Sequence, residues 1–154
     1  MSIYVNPKIR IKRNASQQDM MQKLTSGFKI FDSYRDILVL SAIIGYLNKQ
    51  YVPVEKPASD GVLMQFFSEN DYDLMDLIAY AHTKEQSVLK KDDKYEIFAA
   101  YANGGFPILL QVLEIGPDTE IDELLQEDIL KKLHAKLLSK QVISKSITDE
   151  LFIG

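Results

Sequence analysis

The feature that most constrains this chain is the run at residues 94–114, KYEIFAAYANGGFPILLQVLE, long, apolar and interrupted near its middle. Tyr95, Phe98 and Ala102 recur at helical spacing, and Phe106, Leu109 and Leu113 continue the stripe past the interruption. The interruption is Asn103-Gly104-Gly105, with Pro107 close behind. Asn and Gly accept the positive φ that closes a helix. Proline has no N–H, so it suits the first turn of a new helix better than an interior. The reading is two helices in tandem, roughly 93–103 and 106–114, with a single helix kinked at Pro107 as the alternative. A phosphate cradle at the Gly pair lacks its usual setting, since no Gly-rich fingerprint follows a strand and no lysine sits behind it. The glycines read as punctuation.

A chain of 154 residues, 46% hydrophobic and 26% charged, is long enough for one domain with a substantial core. It has no cysteine, so disulfides and thiolate metal sites are excluded, in keeping with a reducing cytoplasm. No long apolar run precedes Phe28, so no signal peptide is expected. The longest apolar run, 37–47, contains Ser41 and is too short to span a bilayer. A cytoplasmic protein without membrane contact is the expectation.

Charge is unevenly placed. Residues 1–35 carry seven basic and two acidic side chains, 36–130 six and eighteen, and 131–154 five and two. An acidic body with basic ends confines any contact with a polyanion to those ends.

Residues 1–15 read as an extended basic arm. Ile3, Val5, Ile9 and Ile11 alternate with polar neighbours, and Lys8, Arg10, Lys12 and Arg13 are expected to project largely to one side as phosphate contacts. The competing reading is an ordinary loose terminus. Residues 16–140 form the helical domain and 141–154 a tail. Ser16, with Asp19, can cap a first helix bearing Met20, Met21 and Leu24 and ending at Gly27. Ser33 and Asp36 repeat that pattern before 37–47, a helix apolar nearly all round and so expected at the centre of the core. Leu40 and Ile44 should be fully buried there, and Gly45 should let a neighbouring helix approach closely.

Pro53, Pro57 and Gly61 mark a loop, and residues 62–67 favour a short strand. Asn70 can cap the next helix, with Asp71 and Asp73 against its dipole and Leu74, Leu77, Ile78 and Ala81 on one face. Further on, Thr119 and Asp122 resemble another cap. Ile121, Leu125, Ile129, Leu133 and Leu137 recur every four residues, and Lys132, Lys136 and Lys140 occupy another face as a second candidate DNA contact. The fold class is mainly α: a compact helical bundle with a short extended arm and room for one strand pair. Helix 37–47 should be flanked by the Leu74 and Tyr95 helices.

No catalytic constellation emerges. His82 and His134 stand apart and show no zinc spacing. Asp71, Asp73 and Asp76 could hold a divalent cation, but their place at a helix start explains them without one. Asp92-Asp93-Lys94 has the residue types of an acid-and-lysine nuclease element, yet lacks a partner acid on a neighbouring strand. No nucleophile elbow, phosphate loop or zinc-protease helix is present. The expectation is a non-enzyme with no cofactor and no metal; the enzyme alternative is a metal-dependent nuclease subunit using the Asp71 and Asp92 regions.

Two segments, YRDILVLSAIIGY at 34–46 and EIFAAYANGG at 96–105, resemble a family of small proteins encoded beside bacterial DNA phosphorothioation systems, the dnd system-associated proteins. The resemblance covers roughly residues 28–114. It rests on Arg35, Asp36, Gly45, Tyr46, Tyr101, Asn103, Gly104 and Gly105, which read as structural. Where the family has Leu-Glu after the Gly pair, this chain has Phe106-Pro107, a departure that bears on helix continuity. The resemblance implies an accessory protein of a sulfur-based DNA modification and restriction system that defends against phage. It implies other proteins of that system as partners, with DNA a further candidate, and it carries over no catalytic residue.

Overall fold

The computed structural model describes residues 2–119. Strand β1 (Arg10–Ile11) leads into a helical stretch made of a 3₁₀ turn (Ala15–Gln17), helix α1 (Gln18–Gln22) and a π turn (Lys23–Gly27). Helix α2 (Tyr34–Leu47), strand β2 (Val62–Leu63), helix α3 (Glu69–Thr83) and helix α4 (Asp93–Leu113) follow. The β strands pair antiparallel, with Arg10 opposite Leu63 and Ile11 opposite Val62. The architecture is mainly α, as the periodicity indicates.

Helix α4 runs unbroken through Asn103-Gly104-Gly105 and Pro107, which overturns the tandem-helix reading. No described glycine has positive φ; left-handed residues close α3 at Lys84 and α4 at Glu114 instead. The glycines serve contact. A Cβ on Gly45 would lie 2.0 Å from the Tyr101 carbonyl oxygen, and one on Gly105 would lie 1.8 Å from that of Ser41. Thus α2 and α4 meet backbone to backbone, and the expected close approach at Gly45 is present. A Cβ on Gly104 would strike the Gln50 carbonyl at 2.2 Å, because the loop after α2 runs along α4. That loop is tied there by Val52 N–H donating to Ala100 O and by Asn103 Nδ2 donating to Val52 O.

Proline inside a helix leaves the carbonyl four residues earlier without its N–H donor. For Pro107 that carbonyl belongs to Asn103, and Gln17 Nε2 supplies the missing bond at 3.1 Å. The helix therefore continues because a side chain from the first helical stretch completes it.

The centre of the core is α4, not α2. Both α2 and α3 pack on α4, whose Phe98, Ala102, Phe106 and Leu109 are buried. Ile44 is buried as expected, but Leu40, one turn earlier on the same face, is only partly so. On α3 the buried face is Met75, Ile78 and Ala79, and Leu77 is 40% exposed. Ser33 caps α2 through the Asp36 N–H as expected. The cap of α3 is Ser68 rather than Asn70, in a reciprocal box with Asp71. Ser16 caps nothing; it lies inside the 3₁₀ turn that precedes α1. Of residues 62–67 only the first two are strand, and Met64–Phe66 make a 3₁₀ turn.

Gly105→Ala must push α2 from α4, because the added carbon meets backbone and not a movable side chain. A loss of about 1–3 kcal/mol or more is expected in urea unfolding. Gly104→Asn should destabilise as Gly104→Ala does, whereas a left-handed cap would tolerate Asn. Changes within about 0.5 kcal/mol, the range of ordinary surface substitutions, would contradict the backbone contact.

Candidate nucleic-acid interface

The basic arm is fastened to the body. Tyr4 OH donates to Asp92 at 2.7 Å, and the Asn6 N–H donates to Tyr95 OH at 2.9 Å. The buried Lys94 ammonium donates to Tyr4 O at 2.5 Å, Leu89 O at 2.9 Å and Asp76 at 2.8 Å. Held this way, the chain turns at Lys8, where the Ile9 N–H donates to Asn6 O, and from Ile9 to Arg13 burial alternates with the two-residue period of a strand. Lys8, Arg10 and Lys12 are exposed, while Ile9, Ile11 and Arg13 turn inward. Arg13 therefore leaves the set of four expected phosphate contacts. It is 2% exposed, donates to Gln18 and to the carbonyl and carboxylate of Asp60, and lies 4.8 Å over the Tyr34 ring. Lys8, Arg10 and Lys12 form no ion pair with any described residue.

Beside this strip lies a groove of about 300 Å³, walled by Arg10 and Lys12 on one side and by Tyr51, Tyr95 and Glu96 on another. Tyr51 is 39% exposed and stacks on His82 with centroids 4.5 Å apart and planes at 13°. Its edge contact with Tyr101, 5.1 Å at 74°, fixes the ring from another side. Tyr101 OH and His82 Nδ1 share a 2.7 Å hydrogen bond. Partial burial, and then the Glu96 carboxylate, raise the Tyr51 phenol above its ordinary pKa, so it stays neutral at physiological pH. Cations for an anion, a braced ring for stacking and a carboxylate for accepting hydrogen bonds thus stand together. Tyr51 and Glu96 carry no sequence signal for such a site: one sits in a proline-bounded loop, the other among the ordinary acids of a first helical turn.

The residues that carry the family resemblance build structure. Gly45, Tyr46, Tyr101, Asn103, Gly104 and Gly105 all lie at the α2–α4 contact or under the loop beside it. Arg35 binds Asp71 through Nε and Nη2 and Asp36 through Nη1, joining the start of α2 to the start of α3. Burial alone would raise the Asp71 carboxyl; hydrogen bonds from Arg35 and Ser68 outweigh it and hold the group below the usual carboxylate range. Of the residues considered for a nuclease element, Asp71 bonds Arg35 and Ser68, Lys94 bonds Asp76, and Asp92 accepts from Tyr4 and Asn6. Among the described residues no group of three or more His, Asp or Glu is gathered as a metal site, and no helix is long and apolar enough to cross a membrane. His134, Lys132, Lys136 and Lys140 lie outside the described residues. Elsewhere, Phe66 is 60% exposed, and Leu77 and Tyr80 border a second open groove with Leu89.

Residues 10–145 match the protein family described as DNA sulphur modification system-associated protein 4. The match takes in Arg10, Lys12 and the whole α2–α4 core, and extends on both sides of the resembling segments. No curated protein and no solved structure matches the chain significantly.

The Asp71 pKa is lowered in the folded chain, so the associated stability is present above the unfolded carboxylate value, about 4, and is lost as pH falls through the lower folded value. Asp71→Asn should cost about 1–3 kcal/mol at neutral pH, Arg35 being partly solvated. It should also make the urea midpoint less sensitive to acid below about pH 4. An unchanged acid response would show that other carboxylates govern it.

Proposed function

Because the chain belongs to the family of DNA sulphur modification system-associated protein 4, we propose that it is a non-enzymatic accessory or adaptor protein of such a system, working in the cytoplasm in modification-linked restriction of phage. The observation that carries this reading is the family match across residues 10–145. Its means of action is contact with other proteins of the system. Exposed Phe66, Leu77 and Tyr80 support that, since aromatic and apolar anchors are the side chains that dominate protein interfaces.

A second reading, a small DNA-binding regulator of the same gene cluster, is favoured by one observation: Lys8, Arg10 and Lys12 are exposed and form no ion pair among the described residues. Both readings accommodate an adaptor that also touches DNA.

Affinity purification of the tagged chain from cells carrying the system should recover a modification or restriction protein, and nuclease treatment should leave that association intact. Phe66→Ala or Leu77→Ala should weaken it; recovery of no system protein would overturn the adaptor reading. For the second reading, three phosphate contacts give a log K against log salt slope of about −2.7 on duplex DNA. Replacing Lys8, Arg10 and Lys12 by Ala should abolish that slope equally on plain and phosphorothioated duplexes. Arg13→Ala should lower thermal stability and leave the slope unchanged.

A further inference from the structure

We propose that the strip of Lys8, Arg10 and Lys12 and the adjoining Tyr51 groove together take a single-stranded DNA segment, with phosphates along the strip and one base, bearing an exocyclic amino group, against Tyr51 and Glu96. This rests on the reading of the strip as a DNA contact and adds what kind of DNA it takes and how.

The first argument is spacing. Side chains on one side of a strand repeat every ~6.6 Å, which is close to the separation of successive phosphates in an extended nucleic-acid strand. Arg10, in β1, and Lys12, two residues on, are exposed at that spacing on the rim of the groove, and Lys8, exposed in the turn just before β1, adds a third cation. Arg10 Nη1 donates to Gly61 O at 3.4 Å, which holds the guanidinium at the edge of the sheet. The second argument is the groove. It opens next to Arg10 and Lys12, so a strand laid on the strip brings its bases to the groove mouth. In a duplex those bases are turned inward and paired, and the groove would stay empty. About 300 Å³ lies at the small end of ligand sites and is room enough for one base.

The third argument is chemistry. Tyr51 is partly exposed and braced by His82 and Tyr101, so it can stack a base without first being ordered. Glu96 is exposed and makes no hydrogen bond or ion pair with a described residue. The neighbouring Asp92 is already occupied by Tyr4 OH and Asn6 Nδ2. Among the described residues Glu96 is thus the groove's unengaged carboxylate, and a carboxylate accepts from the amino group of cytosine, which thymine lacks. Its negative charge also repels phosphate, which keeps the sugar–phosphate chain on the cationic wall and the base edge on the acidic one.

The test is fluorescence anisotropy with labelled oligo(dC), oligo(dT) and a mixed-sequence duplex, at about 50 mM salt where phosphate contacts are strong. Single strands should bind more tightly than duplex, with a salt slope of about −2 from three contacts. Oligo(dC) should bind several-fold more tightly than oligo(dT). Tyr51→Ala should weaken single-strand binding on the order of tenfold without altering the slope, and Tyr51→Phe should retain binding. Should Tyr51→Ala melt below the assay temperature, Tyr51→Leu, which keeps bulk and removes the ring, is judged in its place. Glu96→Ala should erase the oligo(dC) preference while raising affinity for oligo(dT), opposite signs that a loss of fold cannot produce. Duplex bound as well as single strands, with Tyr51 variants silent, would overturn the inference and leave the strip as a duplex contact. Binding of neither nucleic acid would overturn both. The adaptor reading is judged separately, by co-purification.

Discussion

The meeting of two helix backbones at Gly45 and Gly105 is the contact on which most of the structure depends. With no side chain between them, α2 and α4 come close enough for Tyr46 and Tyr101 to meet edge to face, 5.4 Å between centroids. Tyr101 in turn holds His82 and the edge of Tyr51. The same closeness lets the loop after α2 lie on Gly104, where Asn103 secures it. A surface groove thus takes its shape from a core contact, and a methyl group added at the crossing would be felt at Tyr51.

Electrostatics divide the cations into two populations. Arg13, Arg35 and Lys94 are drawn inward or across helix starts, each matched by a carboxylate: Asp60, Asp36 with Asp71, and Asp76. They act as rivets, and removing Arg35 or Lys94 would leave a mostly buried carboxylate, Asp71 or Asp76, without its counter-charge. Lys8, Arg10 and Lys12 have no such partner among the described residues and lie on an otherwise acidic body. Among the described residues, positive charge without a carboxylate partner is therefore gathered on the N-terminal strip.

Features governed by a local rule were legible in the sequence. Helical period, the Ser33 cap and the close approach at Gly45 all follow from near neighbours or from the absence of a side chain. The misreadings share a cause, which is that one residue type serves two physical ends. Glycine permits left-handed backbone and also permits contact, and only the position of Ser41 and Gln50 shows that contact is its use here. Arg13 looked like a fourth surface cation because it follows Lys12, yet strand parity places it with Ile9 and Ile11. Asn70 and Ser68 are both good caps, and the reciprocal bond with Asp71 selects Ser68. The groove was not legible, because it joins the N-terminal strand, a loop and the first turns of α4, segments whose proximity no local pattern encodes.

The bond from Gln17 to Asn103 has an evolutionary corollary. Pro107 creates a carbonyl without a helical donor, and Gln17, far away in the chain, satisfies it. Defect and remedy form a unit: a relative carrying a residue with an N–H at the position of Pro107 no longer needs an amide at that of Gln17, whereas a relative keeping the proline has little freedom there. The first helical stretch is thereby bound to the fold by the local chemistry of one imino acid, and drift at the two positions should be correlated through the carbonyl of a third residue, Asn103.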